Sequence, residues 1–168
     1  MTSPPYLKKG DKIGIVATAI KVSANELKFA IETLTSWGLE VVLGKNLYAS
    51  ENQFSGSDEQ RTSDFQEMLD DSSIKAVISA RGGYGTIRII DKLDFSGFQR
   101  NPKWIIGYSD ITVLHCHLQN LGFESIHATM PINFKTNAEA TESLRKSLFG
   151  ENLTYTVPAH PLNRMGDS

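Results

Sequence analysis

The chain has 168 residues, 40% of them apolar and 21% charged, with a formal net charge of −2. These are the proportions of one globular domain; they supply no basic face for nucleic acid and no run of about 18 apolar residues to span a membrane. One cysteine, Cys116, excludes an internal disulfide, and residues 1–5 lack the basic and apolar regions of a secretion signal, so the chain reads as cytoplasmic.

In chain order, residues 12–17 (KIGIVA) form a short apolar run suited to a buried strand. Ser23 with Glu26 three residues on has the capping-box pattern, and Leu27, Ala30, Ile31 and Leu34 follow as one helical stripe that Gly38 ends. Residues 39–43 (LEVVL) read as a second strand. After a polar loop over 48–56, Ser57 and Gln60 offer another capping box, ahead of Phe65, Met68 and Leu69. Residues 74–80 (IKAVISA) are a third strand, followed at once by Arg81-Gly82-Gly83-Tyr84-Gly85, and Ile87, Ile90 and Leu93 mark a short helix. Residues 103–108 (KWIIGY) are a fourth strand, with Ile111, Leu114 and Leu118 marking the next helix. A fifth strand is expected over 123–127, and Thr136-Asn137-Ala138-Glu139 opens a last helix that ends near Phe149-Gly150.

Strands alternating with helices, with no hairpin signal between them, require crossover connections. The predicted fold is therefore a three-layer α/β domain, flavodoxin-like or Rossmann-like, with a mainly parallel sheet and helices on both faces. Residues 1–150 make up that domain. Residues 151–168 carry two prolines and no further element, and read as the start of an inter-domain linker. Ligands of such sheets sit at the carboxyl ends of the strands, the edge where the turns after the third and fourth strands both fall.

The fourth-strand turn, Gly107-Tyr108-Ser109-Asp110-Ile111-Thr112, has the context of a nucleophile elbow, with a serine between a strand and a helix. Gly107 removes a side chain where the two elements crowd, and the Asp110 amide falls at a helix N-terminus, suited to an oxyanion. The position two after the serine is Ile111 rather than the usual glycine. The plainer reading is that Ser109 or Asp110 only caps the helix. In the third-strand turn, three glycines permit positive φ and close approach of a ligand to the backbone. Either the Gly83 amide is a second oxyanion donor facing Ser109, or this is merely a tight turn. Neither a P-loop nor a dinucleotide fingerprint fits it.

A serine nucleophile needs a base. His115 and His117 point up the following helix as surface or packing residues, Cys116 is expected to pack as a small apolar residue, and His160 lies in the trailing segment. His127, ending a strand, is either an internal base or a wall of the site. No histidine or carboxylate spacing argues for a metal. Arg81 could hold a substrate carboxylate or anchor a domain interface, and Tyr84 shares its turn.

Taken with the stretch 89–95 (IIDKLDF), the run 102–112 (PKWIIGYSDIT) and the opening 5–13 (PYLKKGDKI), the glycine-rich turn resembles the serine LD-carboxypeptidase family. The resemblance implies a hydrolase that removes terminal D-alanine from muramoyl tetrapeptides in peptidoglycan recycling, without a cofactor. It implies Ser109 as nucleophile and the Gly83 and Asp110 amides as oxyanion donors. It also implies that a glutamate and a histidine come from a C-terminal domain absent here, that the 168 residues alone are inactive, and that the full-length form is a homodimer. Residues 17–19 (ATA) and 126–130 (IHATM) depart from the Ser-Pro-Ser and His-Gly-Pro-Met runs of many relatives. Two other readings stand beside this one: a relative that hydrolyses a peptidyl or aminoacyl nucleotide, and a non-catalytic flavodoxin-like ligand-binding module.

Overall fold

The computed structural model describes residues 1–156 and 158–164. Its strands are β1 (Lys12–Val16), β2 (Glu40–Leu43), β3 (Ile74–Ser79), β4 (Trp104–Gly107) and β5 (Ile126–His127). Its helices are α1 (Ala24–Ser36), α2 (Asp58–Asp70), α3 (Ser96–Arg100), α4 (Thr112–Asn120) and α5 (Ala138–Leu148). All neighbouring strands are parallel, in the order β2-β1-β3-β4-β5, which is the flavodoxin-like order.

Alternation along the strands builds the three layers. Ile13 and Ile15 of β1, Ala76 and Ile78 of β3, and Trp104 and Ile106 of β4 meet Leu27, Ala30 and Leu34 of α1 and Leu144 and Leu148 of α5. Val16, Val77 and Ile105 turn the other way, beneath Phe65, Met68 and Leu69 of α2, Phe98 of α3, and Leu114 and Leu118 of α4. Each of the valine, leucine, isoleucine, phenylalanine and methionine side chains among them, once buried, contributes roughly 1.5–3 kcal/mol. Between β1 and β3 the register jumps so that Lys12 and Ile13 pair with Ile74 and Ala76. The extra residue, Lys75, lets Ile74 join the α2 face while Ala76 joins the α1 face.

Both predicted capping boxes form, Ser23 with Glu26 and Ser57 with Gln60. Other elements differ from their expectation. The helix expected over 87–93 is a pair of 3₁₀ turns, Thr86–Arg88 and Ile90–Lys92. α5 does open within the expected 136–139 stretch, where Asn137 caps it, its side chain accepting from the Ala140 amide at 3.1 Å. β5 is only two residues long, and α3 had no signal of its own because five residues are too few to show a period.

Lys103, expected to begin the fourth strand, instead lies buried just before it and closes the end of α2. Its Nζ donates to the carbonyls of Met68, Leu69 and Asp71 at 2.8, 2.9 and 2.7 Å. Helix α2 has no basic residue of its own in its last turn, so Lys103 supplies the cation that a helix C-terminus favours. Burial pulls its pKa down to about 8.

The chain leaves β1 toward β2 on one side and returns to β3 on the other, which makes the β1/β3 boundary the topological switch point. The glycine-rich turn follows β3 directly, and the Ser109 turn follows β4, its neighbour. No helix among the described residues is long and apolar enough to cross a membrane.

Candidate active site

Ser109 opens a 3₁₀ turn, Ser109–Ile111, between β4 and α4, and its side chain is exposed. Its φ is +62°, left-handed backbone that costs a residue with a Cβ roughly 1–2 kcal/mol. Such a conformation persists only where its surroundings impose it. Gly107 has φ +156°, and a Cβ built there would stand 2.7 Å from Cγ1 of Ile111. Ile111 is fully buried. The isoleucine two after the serine and the glycine two before it are therefore a matched pair, one filling the space the other leaves.

Neither Ser109 nor Asp110 caps the helix. The N-cap position of α4 is Ile111, with no side-chain cap bond, and the Asp110 carboxylate instead accepts the backbone N–H of Thr86 at 2.9 Å.

The glycine-rich turn lies directly against the serine. A Cβ on Gly82 would sit 3.4 Å from Ser109 Cβ and 3.6 Å from its Oγ, so the absence of a side chain at Gly82 keeps the hydroxyl uncovered. The triple glycine was visible in the sequence; that Gly82 packs against the serine was not. Gly83 has φ +125°, and a Cβ there would collide with Ile20. The amides of Gly83 and Asp110 donate to no protein acceptor among the described residues.

Arg81 is half-buried and turned toward the start of α1. Its Nη1 lies 3.6 Å from Glu26 Oε1 and donates to the Lys21 carbonyl at 3.4 Å. Tyr84 is 55% exposed at the tip of the turn. His127 is exposed at the end of β5, its ring 6.2 Å from that of Tyr108 and 5.9 Å from that of His115. Tyr108 and His127 line an open cavity of about 490 Å³ with Thr129, Asn133 and Asn137. Asn133 Nδ2 donates to the Tyr108 hydroxyl at 2.8 Å and so fixes one wall of it.

His115, expected as a surface or packing residue, packs half-buried and is held by two polar contacts. Its Nε2 lies 2.9 Å from the Gly107 carbonyl and its Nδ1 lies 2.7 Å from Ser125 Oγ. A carbonyl only accepts, so Nε2 carries the proton and donates. Burial, ahead of any other influence, lowers the His115 pKa, and a neutral ring with Nδ1 accepting from Ser125 satisfies both contacts. The ring thus ties α4 to the strand end just before the elbow. His117 lies tilted against Phe95, ring centroids 4.5 Å apart, and Cys116 is exposed rather than packed, because its side of α4 faces away from the core. Among the described residues no group of three histidine, cysteine or acidic side chains could hold a metal.

The arrangement presents an exposed hydroxyl on left-handed backbone against the glycine-rich turn, and its neighbour Tyr108 lines an open cavity. A probable murein peptide carboxypeptidase of Bacillus subtilis strain 168 is 38% identical over 167 residues, 96% of this chain and 52% of that one. A microcin C7 self-immunity protein in complex with aspartyl sulfamoyl adenosine superposes with a TM-score of 0.83 at 26% identity, over 92% of this chain and 50% of that one. A muramoyltetrapeptide carboxypeptidase from Oxalobacter formigenes superposes with a TM-score of 0.71 at 29% identity, over 81% of this chain and 47% of that one. The chain spans about half the length of the curated relatives it matches. With the LD-carboxypeptidase N-terminal domain matching residues 13–128, a span holding both the glycine-rich turn and the Ser109 elbow, the chain belongs to the LD-carboxypeptidase family.

Proposed function

We propose that this chain is the nucleophile-bearing half of a serine LD-carboxypeptidase that releases terminal D-alanine from muramoyl tetrapeptides. The observation that carries the reading is the left-handed Ser109, held out beside the glycine-rich turn. A serine that merely capped a helix would sit in extended backbone with its oxygen on a helix amide; Ser109 does neither. The names of the Bacillus and Oxalobacter relatives support the substrate class.

In the proposed reaction Ser109 Oγ attacks the carbonyl of the L–D bond while a histidine from the other half of the protein takes its proton. The Gly83 and Asp110 amides stabilise the tetrahedral oxyanion; losing one such donor typically costs ~10²–10³ in rate. The carbon–nitrogen bond then breaks, the histidine returns its proton to the leaving amine, and D-alanine departs. Water hydrolyses the acyl-serine by the reverse proton transfers. A glutamate beside the histidine orients it and stabilises the imidazolium, as the third member of a serine triad does. The terminal carboxylate of the substrate falls to Arg81, whose 3.6 Å contact with Glu26 is long enough to exchange. Tyr84 and His127 serve as walls. Peptidoglycan recycling would place the reaction in the cytoplasm, with a homodimer as the working form.

A second reading is favoured by the likeness to the microcin self-immunity protein, whose ligand is an aminoacyl nucleotide analogue. The test is to offer the full-length protein a muramoyl tetrapeptide and an aminoacyl sulfamoyl adenosine side by side, with Ser109→Ala as control. D-alanine release that vanishes in the variant is the expected result. Turnover of the nucleotide conjugate alone would assign the second reading, and turnover of neither would leave a ligand-binding module. The 168-residue chain by itself, a serine without its base, is expected to release no D-alanine.

A further inference from the structure

The elbow and the glycine-rich turn are joined by a chain of hydrogen bonds, buried at its centre and part-buried at its two ends, that neither motif requires. Asp110 Oδ2 accepts from the N–H of Thr86, the residue that ends the turn, at 2.9 Å. Thr86 Oγ1 donates to Thr18 Oγ1 at 2.8 Å. Thr18 Oγ1 and Ser79 Oγ are 3.3 Å apart, and Ser79 Oγ donates to the Arg81 carbonyl at 3.1 Å. Each hydroxyl has one proton to give, and that proton count fixes the direction. Ser79 spends its proton on Arg81, so it accepts from Thr18, which accepts from Thr86. Thr18 and Thr86 are 0% exposed and Ser79 is 3% exposed.

The chain grips the turn at both ends. At its start the Arg81 carbonyl is held to the end of β3, and at its close the Thr86 amide is held to the elbow. Arg61 braces the same frame from α2, its Nη1 donating to the carbonyls of Thr18 and, at 3.1 Å, Gly85. Buried hydroxyls cost stability unless bonded, and valine or alanine would fill the same space without that risk. A directed series running from the carboxylate beside the nucleophile to the base of the facing turn fixes a distance rather than filling a void.

We propose that the Asp110 carboxylate, Thr86, Thr18 and Ser79 form a positioning device that sets the gap between the glycine-rich turn and the elbow, and with it the spacing of the Gly83 and Asp110 amides around the oxyanion. This rests on the serine-hydrolase reading of Ser109 but not on the tetrapeptide. Misplacement by about 1 Å of groups that meet a reacting atom can cost ~10² in rate.

The experiment follows phosphonylation of Ser109 by a fluorophosphonate in the full-length protein, located by peptide mapping, with thermal unfolding measured on the same samples. Thr86→Val and Asp110→Ala are each expected to slow labelling by roughly 10–100-fold. The double variant should be no slower than the worse single one, since both cut one chain. Thr86→Ser, which keeps the hydroxyl, recovers most of the rate. In steady-state turnover the loss falls on kcat with KM unchanged. Wild-type labelling rates in the single variants, with only the melting temperature lowered, would overturn the proposal. So would strictly additive losses, or a wild type that takes no label at Ser109. Should Asp110→Ala fail to fold, Thr18→Val cuts the same chain one hydroxyl on and is read the same way. The expected labelling pattern without turnover of the tetrapeptide would refute the substrate reading and support the positioning device.

Discussion

Ser109 spends stability to hold its hydroxyl outward. At φ +62° its Cβ is strained, and glycine at that position would be relaxed. Ser109→Gly is therefore expected to raise stability by about 1 kcal/mol while removing the proposed nucleophile, as read by denaturant unfolding beside an activity assay. A fall in stability would mean that the conformation is not imposed against a local cost. Glycine at 107 and serine at 109 were legible because the elbow is a local pattern, two residues apart between a strand and a helix. Gly82 beside Ser109, His115 on the Gly107 carbonyl and the Asp110–Thr86 bond were not. Each is a contact between elements, and nothing in the spacing of one motif says which residue of the other it meets. Cys116 was misjudged for a similar reason: one residue decides whether a helical side chain faces the sheet or solvent, and the stripe of Leu114 and Leu118 leaves Cys116 outside.

Among elements, a cluster of ion pairs sits where α2 meets the 3₁₀ turn Thr86–Arg88. Asp58 at the start of α2 pairs with Arg61, whose side chain is 1% exposed, and with Arg88 at 2.9 Å. Both guanidinium groups lie over the Phe54 ring. The hydrogen bond from Arg88, followed by the nearby charge of Arg61, holds the Asp58 carboxyl below the usual carboxylate range. A depressed carboxylate contributes stability that is complete above its unfolded value near ~3.9 and is lost as pH falls through the folded value. Stability is thus expected to drop below about pH 4. Asp58→Asn should cost roughly 3 kcal/mol at pH 7, because Arg61, whose Nε has no partner among the described residues, loses the carboxylate it pairs with. The variant should also show a shallower acid loss; an unchanged pH profile would remove Asp58 from that role. Helices of 9–13 residues with capping boxes or apolar stripes were readable in advance, whereas the two 3₁₀ turns were read as one helix, the fifth strand was read too long, and the five-residue helix was too short to show a period.

At the scale of the molecule, the parallel order β2-β1-β3-β4-β5 brings two turns far apart in sequence to one edge of the sheet. The parallel α/β class followed from alternating elements alone. The strand order did not, since it depends on which side of β1 each crossover passes. That order places the glycine-rich turn at the switch point and the elbow beside it, on one edge of the sheet. The measurement that bears most directly on this arrangement is the location of a covalent adduct. The full-length protein is treated with a fluorophosphonate and digested, and the modified residue is identified by mass spectrometry in wild type and in Ser109→Ala. One adduct on Ser109, absent from the variant, is the predicted result; an adduct on another residue, or undiminished uptake by the variant, would contradict Ser109 as the nucleophile.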